Sequence, residues 1–260
     1  MTGKLTVGSD GRLRGPASIS YNDPWPCPNH GSGSGAMNGL VQHTMVGTLA
    51  SAIKAFNTPS FQASAFFGVD ETGHIHQFIG VGLGLYSWAQ VAGNRTWYSC
   101  EFADNGNPNN PMTDAQLTAG AQILECLSAF AGFPLQEANS PSERGLGVHY
   151  MGGGAWGGHT CPDLPPKHVR SSQRPEIIAR AKAIRAGQGD TVAAVDHVAS
   201  GTESLADIAE KTNTDASTIL RLTAVAQGRF DQGTAEYIDE MAAAHTAPMA
   251  KGSTLKVHGS

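Results

Sequence analysis

What most constrains this chain is the alternation of strand-length apolar runs with longer segments of helical period. NGLVQHTM (38–45) has a short apolar core of buried-strand length. GTLASAIKAF (47–56) follows, with Leu49, Ile53 and Phe56 at helical spacing, and stops ahead of Pro59. ASAFFGVDETGHIHQFIG reads as a hairpin: strand 63–69, a turn at Asp70–Gly73, strand 74–80. TWYSCEFA (96–103) is a further strand. Thr113 is placed to cap a long helix, TDAQLTAGAQILECLSAFAG, that ends at Gly132. GLGVHYM (145–151) reads as a strand or loop, and SQRPEIIARAKAIRAG (172–187) as a last amphipathic helix with basic residues near its end. Strands interleaved with helices imply an α/β domain, a mixed central sheet flanked by helices. Residues 1–38, rich in Gly, Pro, Ser and Asn, predict an irregular lead-in.

Composition narrows the class. At 40% hydrophobic and 15% charged residues, the 260-residue chain is globular, with room for one large domain or two smaller ones. Residues 1–189 carry 12 basic and 12 acidic side chains, whereas residues 190–260 carry 5 and 10, so the net charge of −5 belongs to the C-terminal segment. Without a basic patch, no nucleic-acid partner is expected, and an acidic module is not drawn to anionic lipid. No run approaches the roughly 18 apolar residues of a membrane span, so no membrane insertion is expected. The opening MTGKLTVGSDGRLRGP has neither an apolar run nor a small-residue cleavage site. That predicts a protein without a classical secretory signal, and a monomer is expected. Cys27, Cys100, Cys126 and Cys161 are widely and irregularly spaced with no CxxC pair; buried free thiols are expected for all but Cys161.

The candidate chemistry lies in two histidines with similar settings. His43 closes the apolar run GLVQHT, and His149 closes GLGVHY. Cys161 follows 12 positions after His149, in HTCPD on a proline-fixed loop. Two imidazoles and one thiolate leave a fourth zinc position open, which is the catalytic rather than the structural arrangement. Residue types and spacing alone leave a second reading open: two core histidines and a buried thiol.

Taken in order, GLVQHT, a hairpin with a DETG turn, YSCEF and GVHY…GGHTCPD resemble the type-2 N-acetylmuramoyl-L-alanine amidases. That family includes phage lysozyme-like amidases, bacterial anhydro-amidases and peptidoglycan recognition proteins. The resemblance covers roughly residues 36–186, and GVHYMGGGAWGGHTCPDLPP with QRPEIIARAK looks especially like endolysins of actinobacterial phages. It implies zinc as cofactor, with His43, His149 and Cys161 as ligands. It also implies bacterial peptidoglycan as partner and hydrolysis of the bond between N-acetylmuramic acid and L-alanine. His159, two positions before the last ligand, falls where the family contacts the reacting carbonyl. Glu101 falls on the proton-shuttling glutamate of one branch.

Three departures stand out. The tyrosine of other branches would fall near Ala65 and is missing; the His-to-Cys interval is lengthened by GGGAWGG; and CPD replaces CPG, which leaves Asp163 as a minor rival ligand. Blander readings remain beside these roles, with Glu101 an exposed strand carboxylate and His159 a loop histidine. Trp156 either shapes a sugar–peptide groove or packs the loop. His74 and His76 share one face of their strand and either line the cleft or face solvent.

Residues 1–187 are therefore expected to form the catalytic domain, 188–194 a linker, and 195–260 a small α+β (βααβ) module. SGTESLADIAEKTNTDASTILRL, with Leu205, Ile208, Ala209, Ile219 and Leu222, resembles the two helices of a LysM module, and KGSTLKV its closing strand. AVAQGRFDQGTAEYIDEMAAAHTAP is an insertion with an extra helix. The resemblance implies binding of N-acetylglucosamine chains, with Gly201, Thr202 and Thr218–Leu220 near the sugar; the alternative is a helical appendage for packing or dimerisation. The whole reads as an endolysin held in the host cytoplasm until released to the wall. The rivals are a recycling amidase, a non-catalytic peptidoglycan-binding protein and a structural phage protein.

Overall fold

The computed structural model describes residues 4–187, 194–198 and 254–258. The chain divides into two units, Met1–Asp190 and Thr191–Ser260. In the first, chain order runs through β1 (Thr6–Val7), β2 (Leu13–Arg14), β3 (Ile19–Tyr21), β4 (His30–Ser32), β5 (Gly39–Thr44) and α1 (Leu49–Phe56). It continues with β6 (Phe67–Val69), β7 (Ile75–Gln77), β8 (Leu85–Ser87), β9 (Trp97–Phe102), α2 (Asp114–Ala131), β10 (Gly145–Val148) and α3 (Arg174–Arg185). Six strands form one mixed sheet in the order β10-β5-β9-β6-β7-β3, in which only the β6–β7 hairpin is antiparallel. This is the α/β architecture expected: a mixed central sheet flanked by helices.

Local chemistry explains the element boundaries. The Thr113 hydroxyl accepts from Gln116 N–H at 3.1 Å while the Gln116 amide oxygen accepts from Thr113 N–H at 3.0 Å, a reciprocal cap that starts α2. Gly132, at φ +72°, ends it in a left-handed conformation. Thr48 and Ser51 build the same device for α1, which is why that helix begins at Leu49 rather than at Gly47. The DETG turn is drawn tight by Asp70, whose carboxylate accepts from Thr72 and His74 N–H, both at 2.9 Å. Alternation along β5 and β9 sends Leu40, Tyr98 and Phe102 into a core with Leu117, Ile123, Leu124 of α2 and Ile177 of α3. The other face gathers Val41, Trp97, Ala138 and Trp156.

The expected irregular lead-in is corrected. Residues 1–38 contain β1 through β4; β1 pairs with β2, β4 with β8, and β3 joins the edge of the main sheet parallel to β7. These strands are two or three residues long, too short to show a period of two. The hairpin strands are likewise shorter than 63–69 and 74–80, and α3 follows a 3-10 turn at Ser171–Gln173 with proline in its first turn. In the second unit, β11 (Ala194–Val198) pairs antiparallel with β12 (Thr254–His258). The helices expected between them, the insertion, the sugar-contacting positions and most of the linker lie outside the described residues. Among the described residues no helix is long and apolar enough to cross a membrane.

Candidate metal centre

Register places the first two groups. β5 and β9 are parallel with His43 opposite Glu101, so both side chains leave the same face of the sheet. β10 pairs with the other side of β5, Val148 opposite Gln42, and His149 is the next residue along, its ring 4.6 Å from that of His43. The loop that follows returns Cys161, whose sulfur lies 3.7 Å from His43 Nδ1 and accepts from Thr44 N–H at 3.2 Å. One donor atom from each of His43, His149 and Cys161 lies within 4.8 Å of the others.

Both imidazoles present the same nitrogen. His43 Nε2 meets the amide oxygen of Gln90 at 3.2 Å, and His149 Nε2 meets the carbonyl of Trp156 at 2.9 Å. Each acceptor requires a proton on Nε2, which leaves the Nδ1 lone pair bare. Burial, then the neighbouring imidazole, holds His43 well below its ordinary pKa, and burial also lowers that of His149. Neutral imidazoles are what a cation needs. Burial, followed by the charge of Glu101, pushes the Cys161 thiol up, opposed by the Thr44 N–H. A cation beside the sulfur would reverse that balance. The donor set therefore fits zinc.

Glu101 Oε1 lies 3.9 Å from His43 Nδ1, whereas its Oε2 is buried without a hydrogen-bond partner. Burial, then the charge of Asp104, pushes the Glu101 carboxyl up to about 8. A buried carboxylate oxygen left without a partner, on a residue opposite His43 in register, is a second feature that fits a cation and its water. His159 is exposed and stacks on His149, with rings 4.7 Å apart and 25° between planes. His43, His149, Cys161, Glu101 and His159 are thus brought together.

The remaining candidates stand elsewhere. Trp156 is buried against Trp97, ring centroids 5.8 Å apart, and serves the site through its main-chain carbonyl. Asp163 is committed to the loop: its Oδ1 accepts from Arg170 and Ser171 N–H at 2.9 and 3.1 Å. His74 and His76 sit at the opposite edge of the sheet and bond to Ser18 and Ser20 of the β3 segment. Ala65 is fully buried and offers no hydroxyl. Two contributors escaped the sequence reading. Gln90 has no chemical signature in SWAQVAGN, and Arg170 ties the Cys161 loop to the end of β9 by donating to the Phe102 and Ala103 carbonyls at 3.1 and 2.9 Å.

A family model described as N-acetylmuramoyl-L-alanine amidase matches residues 33–164. The chain belongs to the N-acetylmuramoyl-L-alanine amidase family, and its activity is that of a peptidoglycan amidase. It is similar in structure to the Staphylococcus aureus hydrolase AmiA in complex with its ligand, at 18% identity over 66% of this chain and 86% of that one, TM-score 0.48. A mutant endolysin from Bacillus subtilis is 17% identical over 67% and 100% of the two chains, TM-score 0.41. The N-acetylmuramoyl-L-alanine amidase LysC from Clostridium intestinale is 14% identical over 64% and 99%, TM-score 0.41. No curated protein matches the sequence.

Proposed function

We propose that the chain is a zinc-dependent amidase that cuts between N-acetylmuramic acid and the first L-alanine of the stem peptide, and that it serves as a phage endolysin. The observation that carries the zinc reading is the convergence of His43, His149 and Cys161 within 4.8 Å, with Glu101 opposite His43 in register and one of its carboxylate oxygens buried without a partner. His43 and His149 would hold the ion through Nδ1 and Cys161 through its sulfur. When bound, zinc lowers the pKa of water and polarises the scissile carbonyl. Glu101 takes one proton from the attacking water as its oxygen bonds to the carbonyl carbon. It returns that proton to the amide nitrogen as the C–N bond breaks. His159, exposed over the site, donates to the oxygen on which negative charge develops. Thr44 N–H, 3.2 Å from the sulfur, supports the thiolate.

The endolysin role is supported by the resemblance of GVHYMGGGAWGGHTCPDLPP to actinobacterial phage enzymes and by the LysM-like segment. A recycling amidase acts on small soluble fragments and has no use for a wall anchor. In this reading residues 1–187 are catalytic, 188–194 a linker and 195–260 a wall-binding module on a monomer that waits in the host cytoplasm. The test is clearing of a bacterial wall suspension with and without chelator, with mass spectra of the digest. The expected result is chelator-sensitive clearing that releases free stem peptides and intact glycan. Equal clearing with chelator refutes the zinc mechanism, and wall binding without any clearing favours a recognition protein.

A further inference from the structure

His149 and His43 are held in different ways. The partner of His149 is a main-chain carbonyl, but the partner of His43 is a side chain, Gln90, 47 residues away. Gln90 is fully buried, and its amide has a defined orientation, because Nε2 donates to the Trp97 carbonyl at 3.1 Å. The amide oxygen is thereby turned to His43 and can only accept. On the other side of the ring, Nδ1 faces the Cys161 sulfur at 3.7 Å and Glu101 Oε1 at 3.9 Å. A proton moved from Nε2 to Nδ1 would occupy the atom the metal needs, and Gln90 is the acceptor that keeps it on Nε2.

A second observation concerns the turn that carries Gln90. Val91 has φ +45°, a left-handed conformation that opposes a β-branched side chain, and that side chain is 66% exposed. Nothing gained by burying Val91 offsets the strain. The turn is instead gripped from within: Ala89 and Gln90 N–H donate to Asn94 Oδ1 at 3.0 and 2.7 Å. Gly93 lies so close to Trp156 that a Cβ would stand 2.6 Å from its ring. These contacts hold Gln90 inward against the preference of Val91.

We propose that Gln90 is a positioning residue that fixes His43 in the Nε2-protonated tautomer and so presents Nδ1 to the metal. This rests on the zinc reading above. The test uses the full chain with Gln90→Leu and Gln90→Glu. Zinc affinity is read by competition with a chromophoric chelator, and the His43 tautomer by imidazole nitrogen shifts in the metal-free protein. The leucine variant is expected to bind zinc about 10- to 100-fold more weakly, the range for lost outer partners of a ligand, and to move the His43 proton to Nδ1. The glutamate variant keeps an acceptor and should stay within a few-fold of the original. Wild-type affinity and tautomer in Gln90→Leu overturn the role. Equal losses in both variants overturn it too, because packing would then be the cause. A native chain that binds no zinc while His43 keeps its Nε2 proton refutes the metal reading instead, since the tautomer is read without metal.

Discussion

His43 and His76 stand in one register row of the same sheet: His43 opposite Glu101, Glu101 opposite Gly68, Gly68 opposite His76. Each also has a second histidine nearby, His149 in one case and His74 in the other. At the β7–β3 edge every ring nitrogen is engaged. His74 meets Ser18 and Ser20 at 2.7 and 2.8 Å, and His76 meets Ser20 at 2.8 Å and Asn22 at 3.4 Å. One consistent assignment satisfies the whole ladder, each hydroxyl donating to Nδ1 and each Nε2–H donating onward to Ser20 or Asn22. At the β5–β10 end Nε2 of each ring meets an amide or carbonyl oxygen, whereas His43 Nδ1 faces only the weak sulfur partner of Cys161 at 3.7 Å. Between the two, Gly68 leaves room for Leu49 and Met45, which a Cβ there would meet at 2.7 and 3.0 Å. Two histidine pairs on one scaffold thus differ in what their neighbours leave unsatisfied, and that difference decides which can take a ligand.

The largest effect that could break this contrast is removal of the sulfur. Loss of an outer partner already costs about 10- to 100-fold in affinity or activity. Cys161→Ser is therefore expected to exceed about a hundredfold loss in turnover and to leave little zinc by elemental analysis. Cys126→Ser, at a buried thiol inside α2, should keep its metal. Equal zinc in wild type and Cys161→Ser would take the cysteine out of the site and make the two histidine pairs alike. Next comes Glu101→Gln, which leaves the three proposed ligands in place and removes the proposed proton carrier. Zinc content should hold while turnover falls about 10²- to 10⁴-fold. Near-normal turnover would move the proton role to another group.

The convergence of His43 and His149 was legible because each closes an apolar run, and runs of that kind become neighbouring strands. Caps at Thr113 and Gly132 and the Asp70 turn were legible because their chemistry is local. What stayed hidden was non-local. The strands of residues 1–38 are too short for a pattern, and β3 owes its existence to an edge of β7 more than 50 residues away. Gln90 carries no mark in sequence, since a buried amide becomes functional only through what it faces. Trp156 read as either groove or packing; its ring packs on Trp97 while its carbonyl orients His149. His74 and His76 differ from the triad in sequence by little more than an HIH pattern, and only the hydroxyls of Ser18 and Ser20 separate the two cases.

The smallest effect probes the satisfied ladder through pH. Burial, then the charge of His74, lowers His76 from 6.5 to about 4 in the folded chain. The unfolded chain therefore takes up that proton first as pH falls, and protons favour unfolding. The contribution is complete above pH 6.5 and is lost as pH drops toward 4. A shift of that size is worth at most about 3 kcal/mol. His76→Asn keeps an acceptor for Ser20 but cannot titrate, so its denaturant-unfolding free energy should fall less steeply between pH 6.5 and 4. The comparison belongs in the Cys161→Ser background, where metal release does not enter. Identical slopes would assign the acid sensitivity to His43 and His149, whose pKa values are also lowered, and the ladder would then be no more proton-sensitive than an apolar edge.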